Sequence, residues 1–168
     1  MSIVNQAIRN VTNNFGVRKL DPQYGGEIDE KVIKTVQWTF DYNKLPTFGT
    51  DKLEAVIPAN VTILSAKLQI IVPFASTSTT TDLVAGLYTS AGVAIDADGL
   101  ITAAQATQTA IAVAGSIIDG ASGTAAELIN KTVGSVAGEL VVAPNVADLT
   151  AGRARLIVQY LDRGFLAS

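Results

Sequence analysis

The sequence lacks both cysteine and histidine among its 168 residues. Their absence excludes a zinc site built from Cys and His ligands, a thiol nucleophile and every catalytic triad that depends on histidine. It also leaves the redox compartment undetermined, because that inference rests on disulfides. We therefore expect neither cofactor nor catalytic metal, and we predict that the protein is not an enzyme.

Charged residues make up only 16% of the chain, and they are unevenly distributed. The first twenty residues contain three basic side chains and no acid, whereas the whole chain has a net charge of -3, so the remainder is acidic. A general cluster of Lys and Arg that would follow a phosphate backbone is missing. We predict no nucleic-acid partner, and a basic arm on an acidic body favours self-association or docking.

Long apolar runs are missing too. A helix that crosses a bilayer needs about 18 or more apolar residues in succession, and no such run is present. Residues 1–14 are too polar for the apolar region of a secretory signal peptide. We therefore predict no membrane partner and a soluble chain that is made in the cytosol.

Hydrophobic residues make up 48% of the chain, and in several segments they alternate with polar ones. Apolar side chains recur at every second position in several segments, which is typical of strands with one buried face. The clearest is 62–74, where Leu64, Ala66, Leu68, Ile70, Val72 and Phe74 are predicted to face inward. Pro73 indicates an edge or a bulge, because proline donates no hydrogen bond to a ladder. Further strands are predicted at 32–42, 52–57, 82–88, 139–143 and 153–161.

These strands and their irregular connections predict a mainly β protein with one or two short helices. The fold class that fits best is an antiparallel β-sandwich of jelly-roll-like form, assigned to residues 31–168. The segment 94–138 is the least regular, and 100–114 and 124–130 are compatible with short helices. Asp96 and Asp98 precede Gly99 at a spacing found in calcium loops, but the later acid is missing, so we predict a plain turn.

Residues 1–30 form a separate N-terminal arm in this interpretation. Apolar side chains in its first half fall at helical spacing, and Ser2 is placed to cap a short helix. Such a helix is marginal alone in water and would order against a neighbouring subunit; the alternative is a frayed terminus. The predicted assembly contacts are Ile3, Ile8, Val11, Phe15 and Arg18.

Four segments resemble the small virion proteins of tailed bacteriophages. They are Ile-Pro-Ala-Asn-Val at 57–61, Asp-Leu-Val-Ala-Gly-Leu at 82–87, Asp-Ala-Asp-Gly-Leu-Ile at 96–101, and the strand that begins Ala-Gly-Arg-Ala-Arg at 151–160. The resemblance covers residues 55–161 loosely, and its motifs describe the sandwich scaffold. It implies a capsid decoration or cement protein, or a head-fibre base, that is often trimeric and binds the major capsid protein on the virion surface. Residues 1–30 match no motif of that group.

Two other functions stay open at this point. One is a tail, baseplate or fibre component, which is also structural. The other is a carbohydrate-binding or carbohydrate-active module, since a catalytic carboxylate pair needs no local spacing. Its candidate acids are Glu27, Asp29, Glu30, Glu54 and Glu139. An aromatic content of 6% is low for a sugar groove, and Asp and Glu are most often solvated surface residues.

Overall fold

The structure, a computed structural model, describes residues 33–45, 55–120 and 128–162. Eight strands lie within these residues, and a 3-10 turn, Tyr42–Lys44, follows the first of them. One helix of four residues, α1 (Gln108–Ile111), lies between the fifth and sixth strands. The strands are β1 (Ile33–Asp41), β2 (Ala55–Ile57), β3 (Thr62–Ser76), β4 (Leu83–Tyr88), β5 (Ala94–Ile101), β6 (Ile117–Asp119), β7 (Gly138–Pro144) and β8 (Leu149–Leu161).

The strands form two antiparallel sheets of four, in the orders β1-β8-β3-β6 and β2-β7-β4-β5. In these orders β1 pairs with β8, β2 with β7, β3 with β6 and β4 with β5. This is the pairing of one long hairpin folded over into two layers, which is how a jelly roll is connected. The predicted mainly β, antiparallel sandwich is confirmed.

The core lies between the sheets and is filled by every second residue of the main strands. Leu83, Ala85 and Leu87 of β4 are buried, as the alternation predicted. The inward residues of β8 are buried in the same way, and they are Ala154, Leu156, Val158 and Tyr160. Each fully buried Leu, Ile or Val contributes about 1.5–3 kcal/mol to folding.

The long strand β3 changes the side it presents to the core at points where its pairing with β8 shifts. One shift lies between Ile63 and Ser65, and others bracket Ile71 and Pro73. An extra residue at a bulge breaks the alternation of sides. Ala66, Leu68, Ile70 and Phe74 are buried as predicted, but Ile63 is buried in place of Leu64, and Val72 is exposed. The edge or bulge predicted at Pro73 is confirmed, since the pairing with β8 shifts between Val72 and Ala75.

The segment after β4 differs from its prediction. Asp96, Asp98 and Gly99 lie within β5 and form no plain turn. Leu100 and Ile101 end that strand and are fully buried, so the helix compatible with 100–114 is limited to α1. Thr107 caps α1, since its side chain accepts a hydrogen bond from the backbone N–H of Ala110. Most of 124–130 lies outside the described residues.

The end of β1 also corrects the prediction. Val36, Trp38 and Phe40 face the core, and the rings of Trp38 and Phe40 are 4.9 Å apart. The strand predicted at 32–42 includes Tyr42, but β1 ends at Asp41, and Tyr42 begins the 3-10 turn with its side chain exposed. In the part of the chain that the structure describes, no helix has the length and apolar character needed to cross a bilayer.

Candidate assembly surface

The outward side of the β1-β8-β3-β6 sheet carries polar side chains aligned across the strands, and we call it the polar face. Its composition follows from the same alternation that builds the core, because the residues between buried positions point outward. Pairing brings these residues together in cross-strand rows. The rows are Thr35-Gln159-Ser65, Gln37-Ile157-Lys67-Asp119, Thr39-Arg155-Gln69-Ile117 and Asp41-Arg153-Val72.

Hydrogen bonds join the rows of the polar face from strand to strand. Ser65 Oγ donates to Gln159 Oε1 at 3.1 Å. Arg155 Nε donates to Thr39 Oγ1 at 3.2 Å. Because each bond spans two neighbouring strands, the outward side chains add to the backbone ladder in fixing the register of the sheet.

Ion pairs occupy the same face. Arg153 and Asp41 form one pair through two hydrogen bonds, and Lys67 pairs with Asp119 across β3 and β6. A third pair, Lys34 with Asp162, lies at the far end of β1. All three are exposed to solvent and add little to stability. They do neutralise charge locally, so the face is polar without a strong field of either sign.

At the β3–β6 margin of the polar face, the rows end in a group of exposed aliphatic side chains, which we call the apolar edge. It consists of Ile71, Val72, Val113 and Ile117, whose exposed fractions are 38%, 46%, 55% and 58%. Two backbone hydrogen bonds of 2.8 Å hold the segment around Gly115 and Ser116 against Ile70. Ile117 then pairs with Gln69 on β3. The four side chains therefore share one margin of the sandwich.

The backbone of β3 is itself open along part of this margin. β6 pairs only with Lys67, Leu68 and Gln69, and the Gly115–Ser116 segment covers Ile70. In the described residues no strand pairs with the outer side of β3 from Ile71 to Ser76. Pro73 lies in this open stretch and has no N–H to offer to another strand, which is a recognised way of blunting a sheet edge.

The predicted assembly contacts are not among the residues that the structure describes. Ile3, Ile8, Val11, Phe15 and Arg18 are outside the described residues, as are most of the candidate acids for a sugar-cleaving site. Glu139 lies on β7 and is partly buried. Across 33–45, 55–120 and 128–162, no three acidic side chains come together in an arrangement that would hold a metal ion.

Sequence reasoning did not identify the apolar edge. A signal for it was present in the uninterrupted run Ile70-Ile71-Val72, since three successive apolar residues cannot all face one side of a strand. Val113 and Ile117 carried no comparable signal. Only the pairing of β6 with β3 places them beside Ile71 and Val72.

Comparison with known proteins identifies the fold. No protein-family model and no curated protein sequence matches the chain. Among solved structures, a chain of the "Capsid of Ralstonia phage GP4" aligns with a TM-score of 0.53 and 16% identity, covering 83% of this chain and 92% of that one. A chain of the "Cyanophage Pam1 capsid asymmetric unit" aligns with a TM-score of 0.51 and 13% identity, covering 77% and 84%. The chain is thus similar in fold to chains of these two assemblies over most of its length.

Proposed function

We propose that this protein is a non-enzymatic virion structural protein that decorates and stabilises a bacteriophage capsid. In this proposal it is made in the host cytoplasm, binds the major capsid protein at the capsid surface and associates with itself, as a homotrimer. The sandwich provides the rigid body, and residues 1–30 provide an arm that orders on a neighbouring subunit.

The observation that carries the proposal is the extent of the structural similarity. The chain from the Ralstonia phage capsid is covered over 92% of its length, so nearly the whole of that chain corresponds to this one. The cyanophage capsid chain is covered over 84%. Two chains from phage capsids with the same fold support a place in a virion, and they favour the capsid over the tail, baseplate or fibre.

The polar face is suited to binding a partner over a broad contact area. On the polar face, the outward groups are short polar side chains and ion pairs that already bind one another across the strands. Such a face is rigid, because hydrogen bonds and ion pairs within the protein already fix the side-chain conformations in the unbound state. A rigid surface loses less conformational entropy on docking, which favours binding by shape.

The arm supplies the apolar contribution in this mechanism. Each apolar side chain of the arm that is fully buried against a capsid subunit or a sister protomer would contribute about 1.5–3 kcal/mol of binding free energy. These side chains are Ile3, Ile8, Val11 and Phe15. The cost of ordering the segment reduces that gain. Many copies on one shell repeat the contact and stabilise the lattice as a whole.

The test is reconstitution on capsids that lack the protein. Full-length protein is expected to bind them, and a variant without residues 2–20 is expected to bind more weakly while its thermal unfolding is unchanged. A matched pair of substitutions separates apolar contact from charge. Ile8→Asp with Val11→Asp places two acids at apolar positions of the arm, whereas Asn10→Asp with Asn13→Asp makes the same charge change at polar positions.

The first pair is expected to reduce decoration and the second to reduce it much less. Equal decoration by the truncated and full-length proteins would show that the arm is not the contact. Immunogold labelling of intact particles decides the location. Label at the tail would contradict the capsid assignment and favour a tail, baseplate or fibre component.

A further inference from the structure

β1 is the outermost strand of its sheet, and its outer side is open. It runs for nine residues, and each of them is in register with β8 without a bulge. Within the described residues no strand pairs with the other side of β1. Alternate residues of an antiparallel strand direct their N–H and C=O groups to the same side. The open side of β1 therefore presents a row of backbone groups about 30 Å long without a partner strand.

The other edges that the structure describes are short or interrupted. β2 and β6 have three residues each. β5 pairs with β4 through register shifts, and Pro73 interrupts the open stretch of β3. Short, bulged or proline-containing edges are the means by which natural proteins prevent unwanted strand pairing. β1 has no proline, glycine or bulge, and its one lysine, Lys34, lies near its end, so this edge is suited to an added strand.

Two core-facing side chains of β1 are incompletely covered. Val36 and Trp38 pack against the core, yet both remain partly exposed, whereas Phe40 on the same side of the strand is buried. An added strand brings new side chains to about 4.5–5.5 Å from those of β1, measured between Cβ atoms. Strand addition would therefore cover Val36 and Trp38 while it satisfied the backbone groups.

The residue order of β1 identifies the partner strand. Its central residues, 35–39, are Thr-Val-Gln-Trp-Thr. From either end this order reads threonine, apolar, glutamine, apolar, threonine. When two antiparallel copies pair with Gln37 opposite itself, Thr35 of one copy faces Thr39 of the other, and Val36 faces Trp38. Thr–Thr and aromatic–β-branched pairs are both favourable across strands. A partner of different sequence has no use for this symmetry, whereas a second copy does.

We propose that two copies of this chain pair through β1 about a two-fold axis at Gln37. Two sheets of four strands then become one sheet of eight. The proposal deepens the proposed function by naming a copy in a neighbouring trimer as the lateral partner, and it rests on that function only for the place where the contact operates.

A two-fold pair of this kind closes the edge without extending the sheet further. The contact is isologous, since the same strand serves both sides, and the pair uses both open edges. The far edge of each sheet is the three-residue strand β6. Main-chain hydrogen bonds supply the affinity of strand addition. Copies held side by side on a shell have a high effective concentration, which strengthens the contact there.

Disulfide formation tests the register, because the natural chain has no cysteine to interfere. In full-length Gln37→Cys the two thiols lie opposite each other, within reach of a disulfide. Thr35→Cys is the matched control on the same exposed side of β1. Its two thiols lie about four residues apart along the strand pair, or about 14 Å, which is beyond reach. After oxidation with diamide, in solution and on decorated capsids, a dimer is expected from Gln37→Cys and not from Thr35→Cys. Adding Thr39→Cys to Thr35→Cys should restore it, since residue 35 of one copy faces residue 39 of the other.

Fluorescence gives a second measurement that needs no cysteine. Trp38 is the only tryptophan of the chain, so its emission reports on this edge. The emission is expected to shift to shorter wavelength as the protein concentration rises and sedimentation velocity detects a dimer. Gln37→Lys places like charges opposite each other and should weaken the dimer about tenfold. Val93→Lys makes the same charge change at an exposed position between β4 and β5, in the other sheet, and should leave the dimer unchanged. Thermal unfolding of each variant shows that the fold is intact.

The outcomes separate this inference from the proposed function. Absence of a Gln37→Cys dimer both in solution and on capsids overturns the β1 contact, even where decoration is normal. Equal dimer from Thr35→Cys would mean random collision and would also overturn it. A shift of the Trp38 emission on capsids without any Gln37→Cys dimer would show that a different strand occupies the edge, which overturns the second copy as partner. Dimer in solution from a protein that fails to bind capsids supports the contact and contradicts the proposed function.

Discussion

Arg153 and Asp41 lie directly opposite each other on β8 and β1, and their side chains form two hydrogen bonds. Arg153 Nε is 2.6 Å from Asp41 Oδ1, and Nη2 is 3.3 Å from Oδ2. The hydrogen bond from Arg153 holds the pKa of Asp41 below its ordinary value of 3.8, and the attraction of the guanidinium acts in the same direction. The pair therefore stabilises the fold only while Asp41 is ionised.

This pair predicts a pH dependence with a definite sign. The pKa of Asp41 is lowered on folding, so its stabilisation is fully present above the ordinary pKa of 3.8 and is lost as the pH falls through the lowered value. Thermal melts of wild type and Asp41→Asn should differ by a small, salt-sensitive amount at neutral pH. The difference should vanish in acid.

Asp98→Asn is the control for that experiment, because it removes one exposed acid from β5 without breaking this pair. It should not reproduce the loss at neutral pH that closes in acid. If Asp41→Asn and wild type differed equally at every pH, the ion pair would not be the cause.

Gly152 on β8 is expected to tolerate substitution poorly. Its φ of +129° disfavours any side chain, and a Cβ there would lie 2.0 Å from Cδ1 of Phe74, which is buried in the core. Overpacking and backbone strain of this kind each cost about 1–3 kcal/mol. Gly152→Ala should therefore lower the free energy of unfolding by several kcal/mol, measured in urea.

Gly92 provides the comparison for Gly152. Its φ is +77°, but a Cβ there would meet nothing within 4 Å. Gly92→Ala should show the backbone cost alone, about 1–2 kcal/mol. Similar losses in the two variants would contradict a contribution from contact with Phe74.

Leu68 joins three strands of one sheet, since it pairs with Leu156 on β8 and with Ile118 on β6. It is fully buried. Leu68→Ala should cost about 2–5 kcal/mol, because the rigid sheet collapses little into the cavity. Urea denaturation should give a lower midpoint at unchanged slope. Val93→Ala, at an exposed position, should stay within about 0.5 kcal/mol of wild type, and an equal loss there would argue against the packing explanation.

Pro73 predicts a change in aggregation. Pro73→Thr restores an N–H within the open stretch of β3 and removes the block to strand addition. We expect faster aggregation during incubation at high concentration, followed by light scattering. Pro58→Thr, outside that stretch, should aggregate at the wild-type rate. Unchanged scattering from Pro73→Thr would show that the proline does not protect the edge.

Much of the fold was predictable because alternation along a strand is a local property. β4 and the second half of β8 required no knowledge of their partners, since Leu83, Leu87, Leu156 and Val158 each follow the period of two. Bulges are different. The switch from Leu64 to Ile63 on the inner side of β3 depends on how β8 pairs with it, and no local pattern marks that register.

The prediction for the region after β4 was wrong for a related reason. The Ala, Thr and Gln residues in 102–114 show no clear hydrophobic period, so the sequence does not distinguish a helix from a loop there. The N-terminus of α1 is marked by the capping hydrogen bond that the Thr107 side chain accepts. The apolar edge was less predictable still. Its two halves are separated in sequence and meet through the pairing of β6 with β3 and the backbone hydrogen bonds of Gly115 and Ser116 to Ile70.

The pairing of the first described strand with the last has a consequence for how the protein is made. Thr39 and Arg155, which bond across β1 and β8, are 116 positions apart in the chain. During synthesis β1 and β3 leave the ribosome well before the strand that lies between them, and their apolar sides have no partner in the interval. Contacts of such separation slow folding and lengthen exposure to aggregation. The time needed to complete β8 thus sets the earliest moment at which this sheet closes.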